Sequence, residues 1–527
     1  MQHPRQPSFT PHRQPVIVIG AGVGGLVAAL ELAHRGVEVL VCEAAAQPGG
    51  KMRQVQLGDS LQDAGPTVFT MRWVFEELFA DLGETFSNHL HLHKLHTLAR
   101  HTWGPGEGKP QRLDLFADIA RSADAIGDFA GAAEARRYLA FCERARLIYQ
   151  TLEVPFLRGS RPNPLSLSWR VGRRGVSGLA RMSPFGSMWK TLGHYFHDPR
   201  LQQLFGRYAT YCGSSPFMAP ATLMLVAHVE QDGVWSLAGG MATLATRLAA
   251  LASQRGAVFR YGAAVAEVLT LGGRARGVRL ANGEVISAAA VVFNGDVAAL
   301  SSGLLGTGAI TAVAPAHPAS RSLSAITWNL VAPVPDCQLV RHNVFFSGDS
   351  RAEFNALFSP SGGGSNPSQK RTNPLPSDPT VYVCAQDRHD DDGSVPGRVE
   401  RLLCLVNAPA TGDHPAGTSL SKADLARCED HTFARLARAG LALDRNTAQV
   451  LRTTPADFNR LFPATGGALY GQASHGWMAS FRRPGARSRL DGLYLAGGST
   501  HPGPGVPMAA LSGRQAAASV LADFGRT

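Results

Sequence analysis

The chain has 527 residues, 44% hydrophobic and 17% charged, a composition that excludes intrinsic disorder and a length sufficient for more than one core. Its 57 glycines and 33 prolines follow no Gly-x-y period, which excludes a collagen-like fibre and sends the excess into turns and loops. The net charge of +11 permits nucleic acid, an anionic membrane or an acidic ligand, so the position of the charge must decide; the seven cysteines show no C-x-x-C pair or metal-finger spacing and read as reduced thiols of a cytoplasmic protein.

After a basic leader, Met1 to Pro15, the longest apolar run is Val16 to Leu32. Gly20, Gly22, Gly24 and Gly25 fall in its first half, and Glu31, His34 and Arg35 close it, which argues against a membrane span or a cleaved signal. The run resolves into a β-branched strand, Val16 to Ile19, a glycine turn, and a helix from Leu26 to Arg35 stopped by Gly36. A second strand, Val37 to Val41, delivers Glu43 beyond its carboxyl end. This is Gly-x-Gly-x-x-Gly followed by an acid 18 residues after the third glycine, the pattern of a dinucleotide site. Gly20 permits the tight turn, Gly22 lets backbone approach a pyrophosphate, and Gly25 lets helix and strand close up. The helix N-terminus offers N–H groups and positive dipole to the phosphates, and Glu43 accepts from ribose hydroxyls. Gly49-Gly50-Lys51-Met52-Arg53 adds a second glycine pair and two cations, which an NAD-binding unit does not require.

Further along, His89, His91 and His93 alternate with Leu90 and Leu92. The apolar residues, with Leu95, are expected to face the core and the histidines water, so no metal site is expected. Between Glu153 and Asp198 there is no acid, while Arg158, Arg161, Arg170, Arg173, Arg174, Arg181 and Lys190 alternate with Phe156, Trp169, Met182, Phe185, Met188, Trp189 and Phe196. Such a stretch is either a solvated basic region over an ordinary core or a surface that lies among anionic headgroups. No nucleic-acid-binding signature accompanies the charge, so nucleic acid is not expected as a partner.

Gly233 to Met241 leads into a helix, Ala242 to Arg255, then a strand, Gly256 to Val265, a hairpin about Asn282-Gly283, and a buried strand, Ala288 to Phe293. Ser359 to Thr380 reads as a low-complexity surface loop, and Asp387 with Asp390, Asp391 and Asp392 as a charged turn without calcium-loop spacing. Leu493 to Gly498 is a strand ending in glycines, and Ser499 to Met508 leads into a last helix, Ala509 to Leu521, whose start is free to face the same cofactor as the first. No G-x-S-x-G or Cys/His protease signature supports hydrolysis.

The glycine turn, the acid and the Gly-Gly-Lys together resemble the glutathione-reductase-type flavoproteins. Ala45 and Gln47 stand where amine oxidases usually carry arginines, which turns the likeness toward the bacterial carotenoid (phytoene-type) desaturase family. Asp63-Ala64-Gly65-Pro66-Thr67 looks like that family's segment beside the flavin ring. Val68-Phe69-Thr70-Met71-Arg72-Trp73-Val74-Phe75 looks most like the hydroxyneurosporene (1-hydroxycarotenoid 3,4-) desaturases. The resemblance implies an α/β fold, with a glutathione-reductase-type, Rossmann-like FAD-binding domain assembled from residues 1–75, 230–300 and 460–527. Residues 76–229 and 301–459 would form a discontinuous α+β domain for substrate and membrane association.

FAD is the implied cofactor. Gly49, Gly50, Lys51 and Arg53 would lie at its phosphates, Val265 at the adenine, and Gly65, Pro66 and Thr67 beside the ring. Gly497, Gly498, Val506, Pro507 and Met508 would line the ribityl chain and ring. Asp63, Arg72 and His501 are the polar groups the resemblance puts near the ring, and so the candidates for catalysis. The implied reaction removes two hydrogens at the 3,4 position of an acyclic, 1-hydroxylated carotenoid, with the protein orienting and desolvating the substrate. Because such a substrate resides in a bilayer, Val154 to His197 would dock a cytoplasmic, peripherally bound enzyme on anionic lipid and frame a tunnel mouth. A phytoene desaturase, a carotenoid isomerase and a non-enzymatic lipid carrier on the same fold remain open, as does the oligomeric state.

Overall fold

A computed structural model describes residues 14–104, 108–171, 186–334, 339–358, 375–388, 397, 399–415 and 420–525. Arg173, Arg174 and Arg181 of the basic stretch, residues 359–374 of the low-complexity loop, and Asp390, Asp391 and Asp392 lie outside the described residues.

The first β-branched run forms Val16–Ile19, the centre of a five-stranded parallel sheet. Its neighbours are Val39–Cys42 and Ala290–Phe293, and the edges are Val258–Arg260 and Leu493–Leu495, so the sheet gathers strands from both ends and the middle of the chain. Side chains alternate across it, as a strand requires. Val16, Val18, Val41 and Val292 face a layer of helices, while Ile17, Ile19, Val291 and Phe293 face the antiparallel strands Val265–Leu271, Arg274–Leu280 and Val285–Ser287. The helical layer is Val23–His34 packed between Ala242–Gln254 and Val506–Phe524.

The sequence predicts a single strand from Gly256 to Val265, but the chain breaks it in two. Gly262, at φ 65°, turns the backbone so that its N–H donates to Ala45 O at 3.0 Å and that of Ala263 to Glu43 O at 2.8 Å. Val265 then opens the next strand, and the predicted hairpin follows between Arg274–Leu280 and Val285–Ser287. The final helix begins three residues earlier than predicted, because Pro507 fits a first helical turn, where its missing N–H costs nothing.

A second sheet has seven strands. In order across the sheet they are Gln449–Thr453, Ser324–Pro333, Val399–Ala408, Val381–Ala385, His342–Phe345, Thr97–Trp103 and Gln111–Phe116, with one parallel pairing between His342–Phe345 and Thr97–Trp103. Ile326, Trp328, Leu402, Cys404 and Val406 point to one face, where Phe433 and Leu436 of helix Lys422–Arg438 cover them. Thr327, Tyr382, Leu403, Leu405 and Asn407 point to the other, which is the floor of a cavity. Ala132–Leu152, Arg207–Cys212 and Leu225–Asp232 lie on the cavity's far side.

The three histidines expected on one strand face are split. His89 ends helix Phe86–His89 and meets Glu84 at 3.0 Å, whereas His93 belongs to strand Leu92–Lys94. The six described cysteines are free thiols. Among the described residues no helix is long and apolar enough to cross a membrane.

Candidate active site

Helix Val23–His34 starts at Gly22 with no side-chain cap, so its first N–H groups open onto the cavity. Gly22 lies so close to Asn294 that a Cβ would stand 2.8 Å from Asn294 Nδ2, which itself donates to Gly20 O at 3.2 Å. Gly25 is outside the cavity; a Cβ there would stand 2.2 Å from Gly20 O and drive the helix off the strand. The Glu43 carboxylate is held in place before any ligand arrives, accepting from the N–H of Ala21 at 2.6 Å and of Ala45 at 2.8 Å. Gly49 and Gly50, at φ 133° and 56°, fold the second glycine pair back onto Gly22.

The other end of the chain completes this wall. Helix Val506–Phe524 also begins uncapped, at Gly505, and Gly497, Gly498, Val506, Pro507 and Met508 line the same cavity as Gly20, Gly22, Glu43, Gly65, Pro66, Thr67 and Val265. Lys51 and Arg53 line it too. Lys51 Nζ donates to Leu469 O at 2.6 Å, with burial pushing its ammonium below the ordinary range, and Arg53 donates to Thr453 Oγ1 at 3.1 Å. Arg483, which sequence reading missed, ties the wall together by donating to the carbonyls of Tyr470, Gln472 and Gly498.

Asp63, Arg72 and His501 surround the cavity without lining it. The Asp63 carboxylate accepts from Met241 N–H at 2.8 Å, its backbone exchanges hydrogen bonds with Gln386, and burial raises its pKa. Arg72 precedes helix Trp73–Asp81 and pairs with Glu76 at 2.7 Å. His501 sits edge-on to Phe156 with Nε2 3.0 Å from Gly159 O, and burial pulls its pKa down to about 4.

The cavity, about 1080 Å³, continues from this wall into an apolar lobe bordered by Leu152, Phe156, Leu157, Val226, Val229 and Phe481. The lobe has a charged corner with no forewarning in local sequence, where Arg207 and Tyr211 of one turn meet Glu230 and Tyr382 from two other elements. Asn294 was legible as the end of a buried strand, though nothing in that position revealed its grip on the glycine turn. Two uncapped helix starts, a poised carboxylate and glycine-lined backbone on one cavity fit a dinucleotide, and the apolar lobe beyond suits an oily reactant.

A site of this form on this fold defines a flavin-dependent oxidoreductase, and the chain belongs to the flavin containing amine oxidoreductase family, whose model matches residues 23–521. Among its relatives is the hydroxyneurosporene desaturase of Rubrivivax gelatinosus, 53% identical over 97% of this chain and 94% of that one. The hydroxyneurosporene desaturase of Cereibacter sphaeroides is 42% identical over 97% of this chain and 98% of its own. A solved putrescine oxidase, redesigned for cofactor binding, shares the fold with a TM-score of 0.60 at 14% identity, covering 98% of this chain and 99% of that one.

Proposed function

We propose that this chain is an FAD-dependent carotenoid desaturase that introduces a double bond at the 3,4 position of an acyclic, 1-hydroxylated carotenoid. The observation that carries the reading is the single cavity in which the glycine turns of both chain ends meet an apolar lobe. The likeness to two hydroxyneurosporene desaturases along nearly the whole chain supports the substrate.

Backbone N–H groups at Gly22 to Gly24 and at the start of Val506–Phe524 would hold the cofactor's phosphates, and Glu43 would accept from its ribose hydroxyls. FAD, when bound, supplies the acceptor for the hydride that leaves the allylic carbon. Phe156, Leu157 and Phe481 exclude water from the reacting carbons, and the polyene itself spreads the developing positive charge until the neighbouring carbon releases a proton and the double bond closes. Asp63, Arg72 and His501 act on this reaction from behind the wall, each adjoining in the chain a residue that lines the cavity: Ala64, Met71 and Pro502. The cofactor domain in this reading comprises residues 1–75, 230–300 and 460–527, and the substrate domain the remainder.

Delivery from a membrane belongs to the same reading. Helical residues 164–171 turn Pro164, Leu167 and Ser168 to the cavity, and on the outside Leu165 and Trp169 are 84% and 85% exposed. A large exposed apolar pair on a segment whose other face lines the cavity supports contact with a bilayer. Of the basic residues expected to reach lipid, Arg158 is already paired with Glu77 and Glu153, Arg161 donates to Phe481 O, and Arg170 donates to Ser160 O. The apolar pair therefore offers more to the contact than these three arginines do.

The test is expression in a host that accumulates neurosporene and its hydroxy derivative. Pigment absorbing at longer wavelength and lighter by two hydrogens is expected, and it disappears with Gly22→Val. A product of unchanged mass would make the enzyme an isomerase and overturn the proposal.

A further inference from the structure

The apolar lobe contains a polar corner that a pure hydrocarbon would have no use for. Arg207 opens the turn Arg207–Cys212 and lies against the rings of Tyr211 and Tyr382, 5.6 and 5.5 Å from their centroids. Among the described residues no salt bridge neutralises it. Glu230, the acid that faces it, accepts from the hydroxyls of Tyr208 and Tyr211 and attracts the guanidinium without a direct ion pair. Glu353, another acid on the cavity wall, is similarly filled by Ser347 and Thr380. A guanidinium carries five N–H donors and no acceptor, and here the Tyr211 hydroxyl and the attraction of Glu230 engage it without using all five. Arg207 thus presents spare donors to whatever fills the lobe.

The corner is fixed next to the flavin-ring segment. The Tyr382 hydroxyl lies 2.7 Å from Thr67 Oγ1 and 2.7 Å from His342 Nδ1. Burial keeps His342 neutral, with its pKa pulled down to about 3, so it adds no second charge. Thr67 belongs to the stretch Gly65-Pro66-Thr67, so one chain of contacts runs from the ring side through Tyr382 to Arg207.

We propose that Arg207 reads the hydroxyl of the carotenoid, donating an N–H to its oxygen, with Tyr382 as the positioning residue that holds the guanidinium beside the ring. The inference rests on the function proposed above. In a 1-hydroxylated chain only one carbon separates the hydroxyl-bearing carbon from the 3,4 bond, so the group that reads the hydroxyl must adjoin the group that oxidises the bond. Burying that hydroxyl without a partner would cost free energy, and Arg207 removes the cost only for the correct end of the correct substrate. The corner therefore sets both the choice of carotenoid and the end that enters first.

The experiment uses purified flavin-loaded enzyme and its Arg207→Gln, Arg207→Lys and Tyr382→Phe variants, with carotenoids supplied in phosphatidylcholine vesicles. Preference is read as the ratio of the inhibition constant of neurosporene to the KM of hydroxyneurosporene, and flavin absorbance reports that each variant is folded and loaded. Arg207→Gln is expected to lower the preference about tenfold to a hundredfold, mainly through KM, as loss of a charge-assisted hydrogen bond requires. Arg207→Lys, which retains a charged donor, recovers part of it, and Tyr382→Phe lies between. A preference unchanged in Arg207→Gln, or equal weakening toward both carotenoids, overturns the proposal. A wild-type enzyme that oxidises neither carotenoid refutes the proposed function instead, which separates the two failures.

Discussion

Glu43 is oriented by two backbone N–H groups, so its carboxylate is held at the cavity edge, where the proposed function has it accept from a ribose hydroxyl. Glu43→Gln loses charge from those bonds and from the ribose contact, and FAD affinity measured by flavin fluorescence should fall about tenfold to a hundredfold. His501 marks a different residue-scale effect. Its folded pKa lies near 4 against an ordinary 6.5, because burial disfavours the imidazolium more than the Gly159 carbonyl favours it. Between those values the unfolded chain binds more protons than the folded one, so stability drops as pH falls through that window. The Tm should fall with pH across that window, and less steeply for His501→Gln than for the wild type, since the buried His101, His342 and His475 still contribute in the same direction. Both residues could be picked out beforehand, Glu43 by its spacing from a glycine motif, His501 by likeness alone. Arg207 could not, since apart from Tyr211 in its own turn its neighbours Glu230 and Tyr382 lie on elements that only folding brings near.

At the level of elements, the contact between the first and last helices decides whether the cofactor wall exists. Gly513 of Val506–Phe524 meets Gly24 of Val23–His34 so closely that a Cβ would stand 2.3 Å from Gly24 O. Gly513→Val forces the helices apart and separates their two uncapped starts. A loss of about 1–3 kcal/mol in denaturant unfolding is expected, together with loss of bound flavin. The strands were readable as β-branched runs because one face of each must meet a core, yet the break at Gly262 was not, since it follows from hydrogen bonds to Glu43 and Ala45 rather than from local propensity.

For the whole molecule, one long cofactor would touch residues as distant in sequence as Gly22, Val265 and Met508. Binding to the folded state alone raises stability by mass action, about 2.7 kcal/mol at a hundredfold excess over Kd, so adding FAD to stripped protein should raise Tm in proportion to the logarithm of its concentration. Membrane contact also belongs to this scale. Flotation with phosphatidylcholine and phosphatidylserine vesicles should fall several-fold for a Leu165→Ser, Trp169→Ser double variant, while Arg170→Gln changes it little, because that side chain is committed to Ser160 O. Equal flotation of the double variant and the wild type would remove helical residues 164–171 as the docking surface.

Sequence alone determined the dinucleotide-binding unit, because its chemistry is local: a turn needs glycine, a helix start needs to be bare, and the acid must follow the second strand at a set distance. Likeness to known flavoproteins extended that reading to the last helix. Only the tertiary structure decided what the lobe beyond it contains. Its floor is the alternate face of a seven-stranded sheet, its far side comes from helices elsewhere in the chain, and a charged corner joins Thr67, Arg207, Glu230 and Tyr382 across more than three hundred residues. Specificity of that kind has no linear spacing to betray it, since it arises where side chains from unrelated segments share one desolvated space.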